Sequence, residues 1–318
     1  MEGKQSYSHT ILGGALVCIG LFAVFSLVMI HSYAETTQVT IINFPPSVSS
    51  IIMSSTGTTD LTDDYSGGTI NDLVAGSTKS VWVNGVVTDP NGEDDITTVD
   101  LVFYRDDKGT SCGTDKNDCY KITECTFDTS YGTTDEASYS CPLDIYFFTD
   151  STVGGGTATE NHWVTSVTVQ DDATNSFSFI TKEMGLLLAL DIPSTIDFGT
   201  MALGAGTTND TNIEQTITQQ GNDVADVTLV MTDAEMSCSV RGSVPRESIE
   251  WSATDSSYGD ASSHDLTGIS TDTDIGVGYR TSDGTALTRK LYWNIKIPSS
   301  GVEGICSSTN LTITAIAA

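Results

Sequence analysis

The sequence predicts an all-β protein built from antiparallel sandwiches, and three observations carry that prediction. After residue 34, apolar and polar side chains alternate with a period of two, which is typical of half-buried strands. The alternating runs end at Asp, Asn, Gly or Pro, residues that favour turns. No stretch after residue 34 has the 3.6-residue periodicity of an amphipathic helix. Short strands separated by turns therefore make up the expected fold.

The alternation is clearest in runs that are rich in β-branched and aromatic residues, the types that strands prefer. One of these runs, FSFIT, places Phe177 and Phe179 together on a single apolar face. The runs are VWVNGVVTD from Val81, TVDLVFYRD from Thr98, WVTSVTVQD from Trp163, FSFIT from Phe177, DVTLVMT from Asp226 and LYWNIKIP from Leu291.

The N-terminus carries an export signal. Ile11 to Ile30 is an uncharged apolar run, and cleavage after Ala34 would leave small residues at positions −3 and −1. Residues 1–34 are therefore predicted to be a signal peptide. The run is also long enough to span a bilayer as an uncleaved anchor, which is the alternative. Either way, residues 35–318 are expected outside the cytoplasm, at the cell surface or in the extracellular medium.

The cysteines support export. One of the seven, Cys18, belongs to the apolar run, and an even number in an exported chain indicates disulfides. We favour Cys112–Cys119 and Cys125–Cys141 because each pair closes a short hairpin-like segment. Cys238–Cys306 is then the only pair in the second half. Zinc binding is disfavoured because none of the spacings is CxxC.

Two tandem domains are predicted, each an immunoglobulin-like β-sandwich. The first, residues 35–185, contains four of the cysteines. The second, residues 186–318, begins at an apolar run that ends before Pro193. The linker is short, so we expect the domains to lie close together with limited hinge freedom.

Part of the second domain resembles a known family. The pattern is Ile196-Asp197-Phe198-Gly199, then Gly204, a strand over 213–218, the turn Gln220-Gly221-Asn222 and a strand over 225–232. It is similar to the skeleton of the HYDIN and abnormal-spindle-like domains, which resemble major sperm protein folds. The resemblance implies an immunoglobulin-type sandwich, with Gly199 and Gly204 at turns and a hairpin turn at Gly221-Asn222. It implies no particular function.

The whole chain also resembles uncharacterised exported two-domain proteins of uncultivated small-genome prokaryotes. The segments that carry the resemblance are VNGVVTDPNGEDDI, CGTDKNDCY, YSCPLDIYFFTD and LYWNIKIPSSGVEG. This resemblance implies a surface or envelope role and no chemistry.

Charge excludes two classes of partner. The chain has 42 acidic and 13 basic residues, a formal net charge of −29. Such a surface repels nucleic acid and anionic lipid, so neither is expected to bind. Contact with a membrane is expected only through residues 11–30, if they stay uncleaved.

Catalysis is not expected. After residue 34 the histidines are His162 and His264, and neither lies near a nucleophile motif. No HExxH, P-loop or dinucleotide fingerprint is present. We interpret the chain as a non-enzyme and assign no catalytic residue and no organic cofactor.

Calcium is the sharpest ligand hypothesis. The turn after the first Val-rich run offers side-chain oxygens from Asp89, Asn91, Asp94 and Asp95, and Asp171 follows a later strand that is expected to end nearby. Calcium prefers six to eight hard oxygen ligands on flexible loops. The spacing is not that of an EF-hand. The alternative, which the sequence alone favours, is an Asx-type turn with solvated acids.

Asn209 and Asn310 begin N-x-S/T sequons and are candidate glycosylation sites. Asn310 is expected to be the less accessible of the two because it precedes a predicted strand.

The functional expectation is a non-enzymatic structural or adhesion protein of a cell surface or envelope, stabilised by calcium if the ion binds, with a surface protein or glycan as partner. The alternative is a subunit of a filament or surface layer assembled by strand addition. Its predicted donor is TQVTIIN near the mature N-terminus, and LTITAIAA is the predicted last strand.

Overall fold

A computed structural model describes residues 38–57, 61–156, 158–282 and 284–318. These residues form strands and two single-turn 3-10 segments, with no α-helix among them, so the all-β prediction is confirmed. The chain divides into two compact units, Met1–Ile42 and Asn43–Ala318. The predicted signal or anchor over 1–34 lies outside the described residues. Within the described ranges, no helix has the length and apolarity needed to cross a membrane.

Nine strands in the first half form two sheets that face each other. The strands are β1 Ser47–Ser54, β2 Thr69–Ile70, β3 Thr78–Thr88, β4 Ile96–Arg105, β5 Cys119–Ile122, β6 Thr126–Asp128, β7 Glu136–Tyr146, β8 Trp163–Asp171 and β9 Asn175–Met184. The sheet orders are β1-β3-β7-β6 and β2-β9-β8-β4-β5, and every pairing is antiparallel except that of β2 with β9.

The second half forms one larger and two smaller sheets. Their strands are β10 Leu190–Asp191, β11 Ile213–Gln219, β12 Ala225–Met231, β13 Glu235–Cys238, β14 Ser243–Pro245, β15 Ile249–Ser252, β16 His264–Asp265, β17 Thr271–Asp272, β18 Thr288–Ile295, β19 Cys306–Ser307 and β20 Leu311–Ala317. The sheet orders are β10-β11-β18-β15-β16, β17-β12-β20 and β14-β13-β19. The 3-10 turns are Glu93–Asp95 and Arg246–Ser248.

Each half has its own hydrophobic core, built from the inward residues of the alternating strands. In the first, Trp163 stacks on Phe103 with ring centroids 4.5 Å apart, and both side chains are completely buried. In the second, Val227 and Leu229 of β12 pack with Trp293 of β18. The immunoglobulin-like topology of each half and the boundary between residues 185 and 186 stay predictions.

Among the described residues, the two halves share no sheet and are joined by hydrogen bonds from side-chain amides. The Asn222 amide donates to the carbonyl oxygens of Thr149 and Gly185 at 3.0 and 2.8 Å. The Asn117 amide donates to the carbonyl of Arg280 at 2.6 Å. These buried bonds lie within one compact unit, in agreement with the short linker.

Three disulfides form, Cys112–Cys119, Cys125–Cys141 and Cys238–Cys306, the pairs favoured from the spacing. Cys141 lies on β7, and the backbone N–H of Cys125 donates to Val99 on β4 at 2.8 Å. The second disulfide therefore continues the β6–β7 pairing, whose register places Cys125 opposite Cys141, and Cys125 also contacts the facing sheet through its backbone. The third joins directly opposed residues of β13 and β19.

The structure corrects the predicted face of β9. Phe177 and Phe179 lie on the solvent side of the strand. Lys182 and Met184 lie on the inner side instead, and Lys182 is buried because its ammonium pairs with Asp63 at 2.9 Å and donates to the Tyr65 carbonyl. The alternation predicted the strand correctly but not which face is inward.

The turn at Gly221 also differs from the prediction. Strands β11 and β12 belong to different sheets, so the chain between them crosses from one sheet to the other and does not make a hairpin. Gly221 is needed for a close approach, because a Cβ there would lie 2.1 Å from the Leu187 carbonyl oxygen. Gly199 and Gly204 do adopt the positive φ expected of turn glycines.

Candidate metal centre

Strand pairing brings three acidic residues to one end of the first sandwich. Asp89 follows the last residue of β3, Asp95 ends the 3-10 turn before β4, and Asp171 ends β8. Because β4 and β8 run antiparallel with Ile96 opposite Asp171, the start of one strand lies beside the end of the other. Residues far apart in sequence therefore share one site.

The geometry of these three residues, here called the acid cluster, is compact. One carboxylate oxygen from each lies within 4.8 Å of the other two. Asp89 and Asp171 have no solvent-exposed surface, and Asp95 is half-buried. Among the described residues, no Lys, Arg or His forms an ion pair with any of the three. Three acids are thus packed together at a site from which solvent is largely excluded.

Asp171 is held by hydrogen bonds as a carboxylate. Burial raises its pKa, but hydrogen bonds from the backbone of Thr174 and Ala173 and from the Asn43 side chain outweigh this effect. The net result lowers the pKa of Asp171 to about 2. The Asn43 amide donates to Oδ2 at 2.9 Å, and the Ala173 N–H donates to Oδ1 at 2.7 Å. This group therefore keeps its negative charge at neutral pH.

Only one of the two carboxylate oxygens of Asp89 accepts a hydrogen bond from a described residue. Its Oδ1 accepts the backbone N–H of Asn91 at 2.8 Å, which is an Asx-type turn. Its Oδ2 is buried and accepts no hydrogen bond from any described residue. A buried carboxylate oxygen without a partner is costly, so it calls for a cation or water at this position.

The raised pKa of Asp95 shows the effects of burial and of repulsion between the acids of the cluster. Burial raises the pKa of its carboxyl, and the neighbouring charges of Asp89 and Asp171 raise it further. A divalent cation between the three groups would offset these effects, because its attraction to the carboxylates outweighs the repulsion between the acids.

The predicted ligands are brought together only in part. Asp89, Asp95 and Asp171 form the acid cluster, whereas Asp94 is exposed and lies outside it. The Asn91 side-chain oxygen accepts the backbone N–H of Phe44 at 2.7 Å. Asn43 is not among the predicted ligands, and no local signal marks it, since its role depends on Asp171 more than a hundred residues away.

A second acidic group, Asp226, Asp272 and Asp274, lies in the other half with its carboxylate oxygens equally close. Its buried member is already satisfied. Asp226 Oδ1 accepts from the N–H groups of Val227 and Ile275 and from the Thr273 hydroxyl. This group therefore has a structural explanation as a turn that holds the segment after β17.

The remaining candidate residues occupy structural or exposed positions. His162 Nδ1 contacts Glu183, and His264 packs on Trp251 with ring centroids 4.7 Å apart. Both sequon residues, Asn209 and Asn310, are exposed. The amide of Asn310 donates to Asp233 at 2.8 Å.

Comparison with known proteins assigns no family. No protein-family model matches the chain, and no curated protein is significantly similar to it.

Proposed function

We propose that this chain is a non-enzymatic structural protein of a cell surface or envelope, in which calcium bound at the acid cluster stabilises the first half. The observation that carries the calcium assignment is Asp89 Oδ2, a buried carboxylate oxygen without a hydrogen-bond partner, beside two further carboxylates.

Calcium fits the spacing of the acid cluster. Calcium–oxygen distances of about 2.4 Å place ligands on opposite sides of the ion about 4.8 Å apart. Oxygens that lie within 4.8 Å of one another are therefore able to share one ion. The Asx turn at Asp89 explains its Oδ1 but leaves Oδ2 buried and unpaired, so a solvated turn is a poorer account of the geometry.

Export supports the surface role. Three intramolecular disulfides are compatible with an oxidising extracellular environment. The net charge of −29 keeps such a protein soluble among its neighbours. The disulfides and the hydrogen bonds between the halves suit a protein that presents loops at a surface.

The location is tested by labelling intact cells that produce the chain with a membrane-impermeant amine reagent. Lys121 is exposed and offers an amine. We expect labelled peptides by mass spectrometry while a cytoplasmic control protein stays unlabelled. Labelling that requires lysis of the cells would contradict the surface role.

Calcium binding is tested by thermal unfolding with and without the ion. A ligand that binds only the folded state stabilises it by about 2.7 kcal/mol at about 100 times its Kd. We expect millimolar calcium to raise the Tm of the wild type and of Asp94→Asn, the exposed control in the same turn. Asp95→Asn should lose the shift but be at least as stable as the wild type without calcium, because it removes repulsion.

Equal calcium shifts in Asp95→Asn and in the wild type would place the ion elsewhere. No shift in the wild type would remove calcium from the proposal and leave the surface role standing.

A second role, as a subunit of an extracellular filament or layer, is favoured by a different observation. Strand β20 lies at the edge of its sheet, and β12 is its one partner among the described strands. An open edge is a template for a strand from another chain.

A further inference from the structure

The core of the second half is incompletely covered. An open cleft of about 1320 Å³ lies among its core side chains. Trp293 and Ile295 of β18 form part of its wall, and Leu311 and Ile313 of β20 form another part. Its lining combines these apolar side chains with polar groups, so the cleft is an opening beside the core and not an extended apolar surface patch.

The residues of β20 show where cover is missing. Their partners on β12, Leu229 and Met231, are almost completely buried. Leu311 and Ile313, directly opposite them, are only half-buried. The inward side chains of β12 are thus fully covered, whereas those of β20 border the cleft.

Backbone hydrogen bonds are also missing along this edge. The segment 192–203 lines the cleft, and Ile196 and Phe198 turn toward it. No described backbone hydrogen bond joins this segment to β20. Within the described part of the chain, the side of β20 away from β12 has no strand beside it over the seven residues of β20.

Residues 38–44, QVTIINF, here called the donor segment, have the complementary properties. The segment has no charged side chain in a chain of net charge −29. Val39 and Ile41 are 85% and 79% exposed, and Phe44 is also exposed. Its β-branched residues suit an added strand, and five of its residues, 38–42, precede the two that hydrogen bond to the first half.

The end of the donor segment is fixed to the first half. The Asn43 side chain donates to Asp171 and the Phe44 N–H donates to Asn91, both next to the acid cluster. The donor segment therefore starts from one end of the first sandwich, whereas the cleft belongs to the second half.

We propose that the donor segment of one copy adds to the free edge of β20 in another copy and covers its cleft. The inference rests on the second of the two proposed roles and names its two contacting surfaces. Main-chain bonds to β20 supply affinity, and apolar side chains entering the cleft supply specificity. Donor and acceptor are different surfaces, so the contact is head-to-tail and propagates into rings or filaments.

Charge explains why this segment makes the contact. Two copies that each carry −29 repel one another over most of their surfaces. An uncharged strand that buries its side chains avoids placing like charges opposite each other.

The first experiment measures assembly of the full chain by light scattering and negative-stain microscopy. We expect regular high-mass assemblies from the wild type. Val39→Asp/Ile41→Asp should weaken association by more than about ten-fold, because two buried apolar side chains become charged. Ile269→Asp is the control, since Ile269 is 74% exposed and lies outside the cleft.

The second experiment tests whether the donor segment of one copy contacts β20 of another. The double variant Ile41→Cys/Ile313→Cys should give a reducible ladder of cross-linked chains on oxidation, whereas each single variant should not. A synthetic QVTIINF peptide should shorten the assemblies, and the same peptide with both apolar positions changed to Asp should not.

Other results would overturn the inference. A wild type that stays monomeric would reject both the inference and the filament role, and the calcium and surface tests would be unaffected. Assemblies unchanged by Val39→Asp/Ile41→Asp would keep the filament role but reject this donor. A cross-link confined to monomers would show that each chain fills its own cleft, and lipid in the cleft of a monomer would show a different occupant.

Discussion

The two halves of the molecule use the same kind of alternating sequence but reach different degrees of closure. In the first half, inward residues of β3, β4, β7 and β8 are almost completely buried, and two disulfides cross its loops. In the second half, an open cleft borders β20, and a single disulfide joins neighbouring strands. The difference shows that a strand with alternating apolar and polar residues has a buried face only where a neighbouring element covers that face.

Cover from the facing elements, and not the presence of a sheet edge, explains the difference. Both halves have an edge strand, since among the described residues β1 pairs only with β3 and β20 only with β12. Strand β1 packs against the facing sheet, and its Met53 is completely buried in the core. The apolar residues of segment 192–203 form no described ladder beside β20, and Leu311 and Ile313 of that strand stay half-buried.

Removing the disulfides should change the stability of the two halves more than any other substitution considered. Loop-closure entropy increases with the separation of the two cysteines, which is 68, 16 and 7 residues for the three pairs. Replacing each pair by Ala should lower the free energy of unfolding by about 4 kcal/mol for Cys238–Cys306, about 3 for Cys125–Cys141 and about 2 for Cys112–Cys119. Urea unfolding with hydrogen exchange assigns each loss to one half. If Cys112–Cys119 gave the greatest loss, the loop argument would be wrong.

A smaller effect compares matched leucines. Leu101 on β4 is 1% exposed, so Leu101→Ala should cost about 2–5 kcal/mol. Leu311 on β20 borders the cleft and is half-buried, so Leu311→Ala should cost only about 1 kcal/mol.

This comparison is made by urea unfolding in the Val39→Asp/Ile41→Asp background, so that association does not contribute. Equal costs at Leu101 and Leu311 would mean that the cleft is closed in solution and that the halves do not differ.

Much of the fold follows from local sequence. The runs at Val81, Thr98, Trp163 and Asp226 become β3, β4, β8 and β12 because β-branched residues at a period of two suit half-buried strands. The cysteine pairs follow from spacing because short loops hold their ends together. The TQVTIIN run is an exception, since its described residues carry no assigned strand and β1 begins after Pro46.

The acid cluster was predicted less completely. Asp89 and Asp95 lie on one turn, so local sequence marks them as neighbours. Asp171 was a correct addition because strand ends often meet at one edge of a sandwich. Asn43 was missed, and Asp94 lies outside the cluster because a turn sends successive side chains in different directions.

By itself, the sequence determined the strand content, the turns at Gly199 and Gly204, the disulfide pairs and the strongly negative net charge. Only the tertiary structure decided that Phe177 faces solvent, that the chain changes sheets near Gly221, that Asp89 Oδ2 is buried without a partner, and that β20 keeps a free edge. The reason is physical. Period-two alternation defines two faces of a strand, but long-range pairing selects which face is buried, which strands are neighbours and which edge stays open.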